Sequence, residues 1–148
     1  MRPGTQYLRI TQAMSDADEG AHLGLVSSAP VYIVERIRTA DGVPIVYSRD
    51  ILAQELVVKA DLEAVASQES IHAVLQSVGH NIVQGIATIS PTKATVHLSA
   101  KLLVPVGSLL MRVDQVDYGM DGRPILLSNE FCAAGFGTFT VARRGPSV

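Results

Sequence analysis

Between Val31 and Arg38 the chain alternates strictly. Val31, Ile33, Glu35 and Ile37 fall on one face of an extended segment, and Tyr32, Val34, Arg36 and Arg38 on the other. Pro44 to Ile51 supplies a second apolar run, and the Asp41-Gly42 pair between them predicts a β-hairpin. The same pattern returns eighty residues later. VYIVERIRTADGVPIVYSRD around Asp41 is answered by LLMRVDQVDYGMDGRPILLSNE around Asp121, so that Pro44, Ile45, Ser48 and Asp50 recur as Pro124, Ile125, Ser128 and Glu130. AHLGLVSSAP precedes the first hairpin and AKLLVPVGS the second, each reading as a helix end that closes on a turn. A duplicated helix-hairpin unit is the expected frame. The copies differ where chemistry could sit: the first carries Arg36 and Arg38 on its leading strand, the second Gln115 and Asp117.

Between the copies, Leu56 to Val78 shows helical spacing interrupted near Ser67, which predicts two short helices, the second starting at a serine cap and stopping at Gly79. His80 to Ser90 reads as a strand weakened at Gly85, and Pro91 as the start of a helix ending near Leu103. Phe131 to Ala142 reads as a glycine-interrupted continuation with a final strand, and residues 143–148 as a frayed terminus. The first twenty residues are polar and read as an irregular linker or helix lead-in. Their acidic cluster Asp16, Asp18 and Glu19 suits the start of a helix that Ala21 to Leu25 closes. The sum is an α+β domain over residues 21–142, an antiparallel sheet with helices packed on it.

Composition narrows the function classes. With 148 residues, 47% apolar and 18% charged, the chain suits one compact domain. A net charge of -2 and a pI near 6.0 leave no basic footprint for nucleic acid. A single cysteine, Cys132, in an apolar, glycine-rich stretch excludes an internal disulfide and predicts a buried, inert thiol. No run is long enough for a membrane span and the N-terminus lacks a secretory core, so a cytoplasmic location is expected. His22, His72, His80 and His97 show no metal-ligand spacing, and no nucleophile elbow is present. Neither metal nor cofactor is expected.

Three features could bind a ligand. Arg36 and Arg38, two residues apart on a strand, project from one face and can converge on one anion, although paired arginines also occur on plain solvated faces. The helix start at Ser67 to Ser70 offers free N–H groups and hydroxyls, or simple capping. Ser128 and Glu130 could hydrogen-bond a polar ligand or merely end a strand.

The order AHLGL, VERIRTADGVPIVYSRD, a serine-started helix ending in SVGHNI, AKLLVPVGS and DQVDYGMDGRPILLSNEF resembles the UTRA effector-binding domain of the GntR superfamily, HutC subfamily, from about Ala21 to Val141. The resemblance implies a chorismate-lyase-like α+β fold. It also implies a non-catalytic sensor that binds a small anionic metabolite (sugar phosphate, amino-acid derivative or carboxylate), forms a homodimer and reaches DNA only through a winged helix-turn-helix segment not in this chain. Carried over, the family's anion-binding arginine pair falls on Arg36 and Arg38, its helix-start Ser-Leu-Tyr on Ser70, Ile71 and His72, and its acidic strand end on Glu130. Ser48 stands where the family often has glutamate and His72 where it has tyrosine. AAGFGTF replaces the terminal Arg-Gly-Asp-Arg-Tyr-like stretch, so the resemblance does not carry a sugar phosphate with it. The competing reading is a stand-alone lyase acting on a carboxylated ring.

Overall fold

The computed structural model describes residues 2–26, 28–66, 70–135 and the single positions 140, 142 and 145. Its elements are β1 (Pro3–Met14), α1 (Ala17–Leu23), β2 (Pro30–Ala40), β3 (Val43–Ala53), α2 (Lys59–Ala66), α3 (Ile71–Ser77), β4 (Ile82–Lys93), α4 (Val96–Leu102), β5 (Leu109–Gly119) and β6 (Pro124–Ala133). All six strands form one antiparallel sheet in the order β1-β2-β3-β6-β5-β4. The α+β class is as expected.

Both hairpins form, with different turns. Asp41 and Gly42 take φ of 50° and 79° and join Ala40 directly to Val43, the two-residue connection that needs left-handed backbone at both positions. The second turn is longer. Pro124 resumes the ladder opposite Tyr118, and only Gly122, at φ 77°, is left-handed. Asp16 caps α1 through a capping box, accepting from the Glu19 N–H at 2.8 Å while Glu19 Oε1 accepts from the Asp16 N–H at 3.0 Å. The acidic cluster therefore starts a helix, as its composition predicts.

The sequence reading needs two corrections here. The opening stretch holds strand β1, hydrogen-bonded to β2 from Pro3 to Met14. Pro91 starts no helix. It lies inside β4 opposite Met111, and the following helix begins instead at the cap Thr95, whose hydroxyl accepts from the Leu98 N–H. Ser67 and the expected final strand beyond Gly135 lie outside the described residues, apart from three single positions.

With β1 in place the repeat is larger than a helix and a hairpin. It is a four-element unit, β1-α1-β2-β3 answered by β4-α4-β5-β6, joined by α2 and α3. The halves meet where β3 pairs with β6, and each unit's helix leans on the other's last strand, α1 on β6 and α4 on β3. These two helices cover one face through Val31, Ile51, Leu127 and Leu23 on one side and Ile37, Tyr47, Leu98, Leu102 and Leu110 on the other. On the opposite face, α2 and α3 bury Leu62, Ile71, Val74 and Leu75 against Tyr32, Val34, Leu52 and Leu126. That apolar layer stops on β2 at Val34, and the next positions of that strand on the same face are Arg36 and Arg38.

Candidate functional site

The ladder register places this polar belt row by row. Arg36 lies opposite Ser48, Ser48 opposite Glu130, and Glu130 opposite Val113; Asp50 lies opposite Ser128, and Ser128 opposite Gln115. Side chains two apart on a strand share a face. Arg38 and Asp117 therefore join the same surface. The start of α3 overhangs it, and the two enclose a cavity of about 190 Å³ lined by Arg36, Arg38, Asp50, Asp117, Glu130 and His72, among others. Larger hollows exist. One of about 590 Å³ beside Leu56, His80 and Arg123 is ringed mainly by loops and element ends and gathers no comparable set of strand residues.

Charge pairs organise the belt. Arg36 Nη2 donates to Asp50 Oδ2 at 3.1 Å, and Ser128 Oγ donates to Asp50 Oδ1 at 2.6 Å. Arg38 Nη2 donates to Glu130 Oε1 at 2.9 Å, bridging the two repeats. On the β5 side, Gln115 Nε2 donates to Asp117 Oδ1 at 2.6 Å, and His72 Nε2 lies 2.7 Å from Asp117 Oδ2. The pairs differ in depth: the Arg36 and Asp50 side chains are 13% and 6% exposed, those of Arg38 and Glu130 44% and 34%. Gly85 lies opposite Asp117, where a Cβ would sit 2.5 Å from Asp117 Oδ1 and 3.0 Å from Gln115 Nε2. The weak point in the strand is what leaves room for this pair.

Of the residues singled out from the sequence, Arg36, Arg38, Ser70, His72 and Glu130 all line the cavity. Ser48 lies beneath them, almost wholly buried, and its hydroxyl has no hydrogen-bond partner among the described residues. Ser70 acts as a cap, its Oγ accepting from the Ala73 N–H at 3.1 Å, on a helix only seven residues long. Ser128, considered together with Glu130 as a ligand contact, lines the cavity too. Asp50, Gln115 and Asp117 were not selected as site residues. The repeat is the signal that finds them, because Gln115 and Asp117 occupy the rows that Arg36 and Arg38 occupy in the first copy. Cys132 borders a neighbouring apolar cavity that shares Glu130, and its thiol pKa is raised by burial and then by the Glu130 charge, against the lowering effect of Arg38. That agrees with an unreactive cysteine. Among the described residues no group of three or more potential metal ligands gathers.

The UTRA domain family model matches residues 1–135. No curated protein sequence matches significantly. The fold is similar to that of a GntR-family transcriptional regulator from Enterococcus faecalis, with a TM-score of 0.82 and 24% identity over 96% of this chain and 100% of that one. The effector domain of PhnF from Mycobacterium smegmatis superposes with a TM-score of 0.88 and 21% identity, covering 97% of this chain and 88% of its own. The C-terminal domain of the histidine utilization repressor from Pseudomonas syringae reaches a TM-score of 0.86 at only 9% identity, over 97% of this chain and 100% of that one. With the family match spanning both repeats and the connecting helices, the chain belongs to the UTRA domain family.

Proposed function

We propose that the polar belt is the effector site and that Arg36 and Arg38 take the anionic group of a small metabolite, with Ser48, Ser70, His72 and Glu130 completing the contacts. One observation carries this reading. Residues from both hairpins, on β2, β3, β5 and β6, and from the start of α3 converge on one small cavity whose floor is made of strands. Sites built on strands hold their geometry better than sites on loops. The cavity touches α3, which hangs over the sheet, so an occupant that ties α3 to the belt favours one arrangement of the domain over another. Only such differential affinity can shift a regulatory equilibrium. DNA contact belongs to a winged helix-turn-helix domain outside this stretch, and the protein works in the cytoplasm where its operator is.

The domain also acts as a homodimer. Edge strand β4 supports this, since Val83, Ile86 and Ile89 are exposed there and an apolar strand edge invites a second copy. The effector reading is tested by a thermal-shift screen of phosphorylated sugars, amino-acid derivatives and carboxylates, because a ligand that binds only the folded state raises its apparent stability. A hit should weaken roughly tenfold to a hundredfold in Arg38→Ala, the loss of one charge-assisted hydrogen bond. A hit that binds this variant unchanged would remove the arginines from the site.

A further inference from the structure

We infer that the effector is a zwitterion of about amino-acid size, its anionic group toward β2 and its cationic group toward β5; this rests on the belt being the effector site. The charge count comes first. Arg36 and Arg38 bring two guanidiniums to the cavity, while Asp50, Glu130 and Asp117 bring three carboxylates. Both arginines already hold a carboxylate, at 3.1 and 2.9 Å. A phosphate dianion entering this space would meet three carboxylates and gain no unopposed cation. An ammonium or similar group offers those carboxylates what the phosphate cannot.

The charges are also sorted in space. Both guanidiniums come from β2, whereas Asp117 comes from β5, three strand spacings away, or ~14 Å between backbones. Asp117 is the carboxylate that no arginine among the described residues holds: its partners are Gln115 and His72, and its side chain is 2% exposed. A buried carboxylate lacking a guanidinium, at the end of the cavity opposite two of them, is a receptor for a cation. Glu130 is the more exposed partner, a third open to solvent and so able to release Arg38 to an incoming anion, while Asp50 is held by Ser128. Between the two ends, the buried Ser48 hydroxyl still has a hydrogen bond to give. At about 190 Å³ the space lies below the roughly 300–1,000 Å³ of pockets for drug-sized ligands, which limits the zwitterion to a small one.

The experiment titrates the purified domain with free α- and ω-amino acids, with the amine and the carboxylic acid that correspond to each, and with inorganic phosphate, read by thermal shift and then calorimetry. At least one amino acid should stabilise the domain, with its amine and acid counterparts each more than about tenfold weaker. Asp117→Asn should weaken that amino acid and leave its acid counterpart unaffected; Glu130→Gln, at a side chain a third exposed, should weaken it likewise and provides a second readout should the buried variant misfold. Phosphate or the simple acids binding as tightly as any amino acid, with Arg38→Ala abolishing it, would overturn the zwitterion and keep the anion site. No shift with any probe would overturn the effector site and the zwitterion together.

Discussion

Arg36 and Arg38 are the same residue type two positions apart on one strand, yet they are not equivalent. Arg36 and Asp50 are nearly sealed from solvent, and Ser128 completes the pair. Removing one partner of a buried ion pair strands the other charge, which costs about 3–5 kcal/mol. Arg38 and Glu130 remain wet, where an ion pair contributes about 0–1 kcal/mol. Arg36→Ala should therefore lower the urea unfolding midpoint sharply, while Arg38→Ala leaves it nearly unchanged; equal midpoints for the two variants would contradict the depth assigned to the Arg36 pair. Arg38 is accordingly the cleaner probe of ligand binding. The sequence could place both arginines on one face by alternation alone. It could not rank them, because their depth depends on Asp50 and Ser128, which arrive from other strands.

At the scale of elements, the hairpins were legible and the edges only in part: β4 was read as a strand over most of its length and β1 was missed. Asp-Gly turns and alternating strands are local signals, and the ladder of β2, β3, β5 and β6 follows them closely. Edge strands carry weaker ones. Pro91 reads as a breaker in isolation, but β4 has a neighbour on one side only, and an edge strand is where proline is tolerated. β1, the other edge, is half solvated and polar; applying the repeat to the predicted strand β4 would have revealed it. The contact of α4 with the sheet has a consequence of its own. Tyr47 is buried beside Phe131 and His97 and donates to Glu35, and burial, that hydrogen bond and the Glu35 charge raise its pKa well above the usual tyrosine value of about 10, outweighing the lowering effect of Arg49. The folded state thus keeps the proton when the unfolded state loses it. The stability this supplies is complete below about pH 10 and drains away as pH rises through the folded value. Urea midpoints measured across that alkaline range should fall for the native protein and fall less steeply for Tyr47→Phe; parallel slopes would show that Tyr47 does not govern the loss.

Over the whole molecule, duplication explains both where the site is and why it is polar at both ends. The two units meet at the β3–β6 pair, and the belt crosses that junction, with arginines from one copy facing Gln115 and Asp117 from the other. Two copies of one pattern, diverged in charge, make a cavity with a cationic side and an anionic side. The sequence displayed this divergence, but only the register shows that the divergent positions share a cavity. The same arrangement leaves the two outer edges unlike. β1 carries Gln6 and Arg9 and tucks Leu8 and Ile10 toward the core, whereas β4 exposes Val83, Ile86 and Ile89 at 61%, 57% and 47%. An apolar edge with unpaired backbone groups is a template for another chain. If the homodimer forms there, Ile86→Lys and Val83→Lys place charges on the edge without touching the core, since both side chains are already exposed in the monomer. Sedimentation equilibrium should then show a dimer for the native protein and a folded monomer for the double variant, with its thermal unfolding still cooperative. A double variant that remains dimeric would move the interface away from β4, and a native protein that stays monomeric at every concentration would remove the dimer altogether.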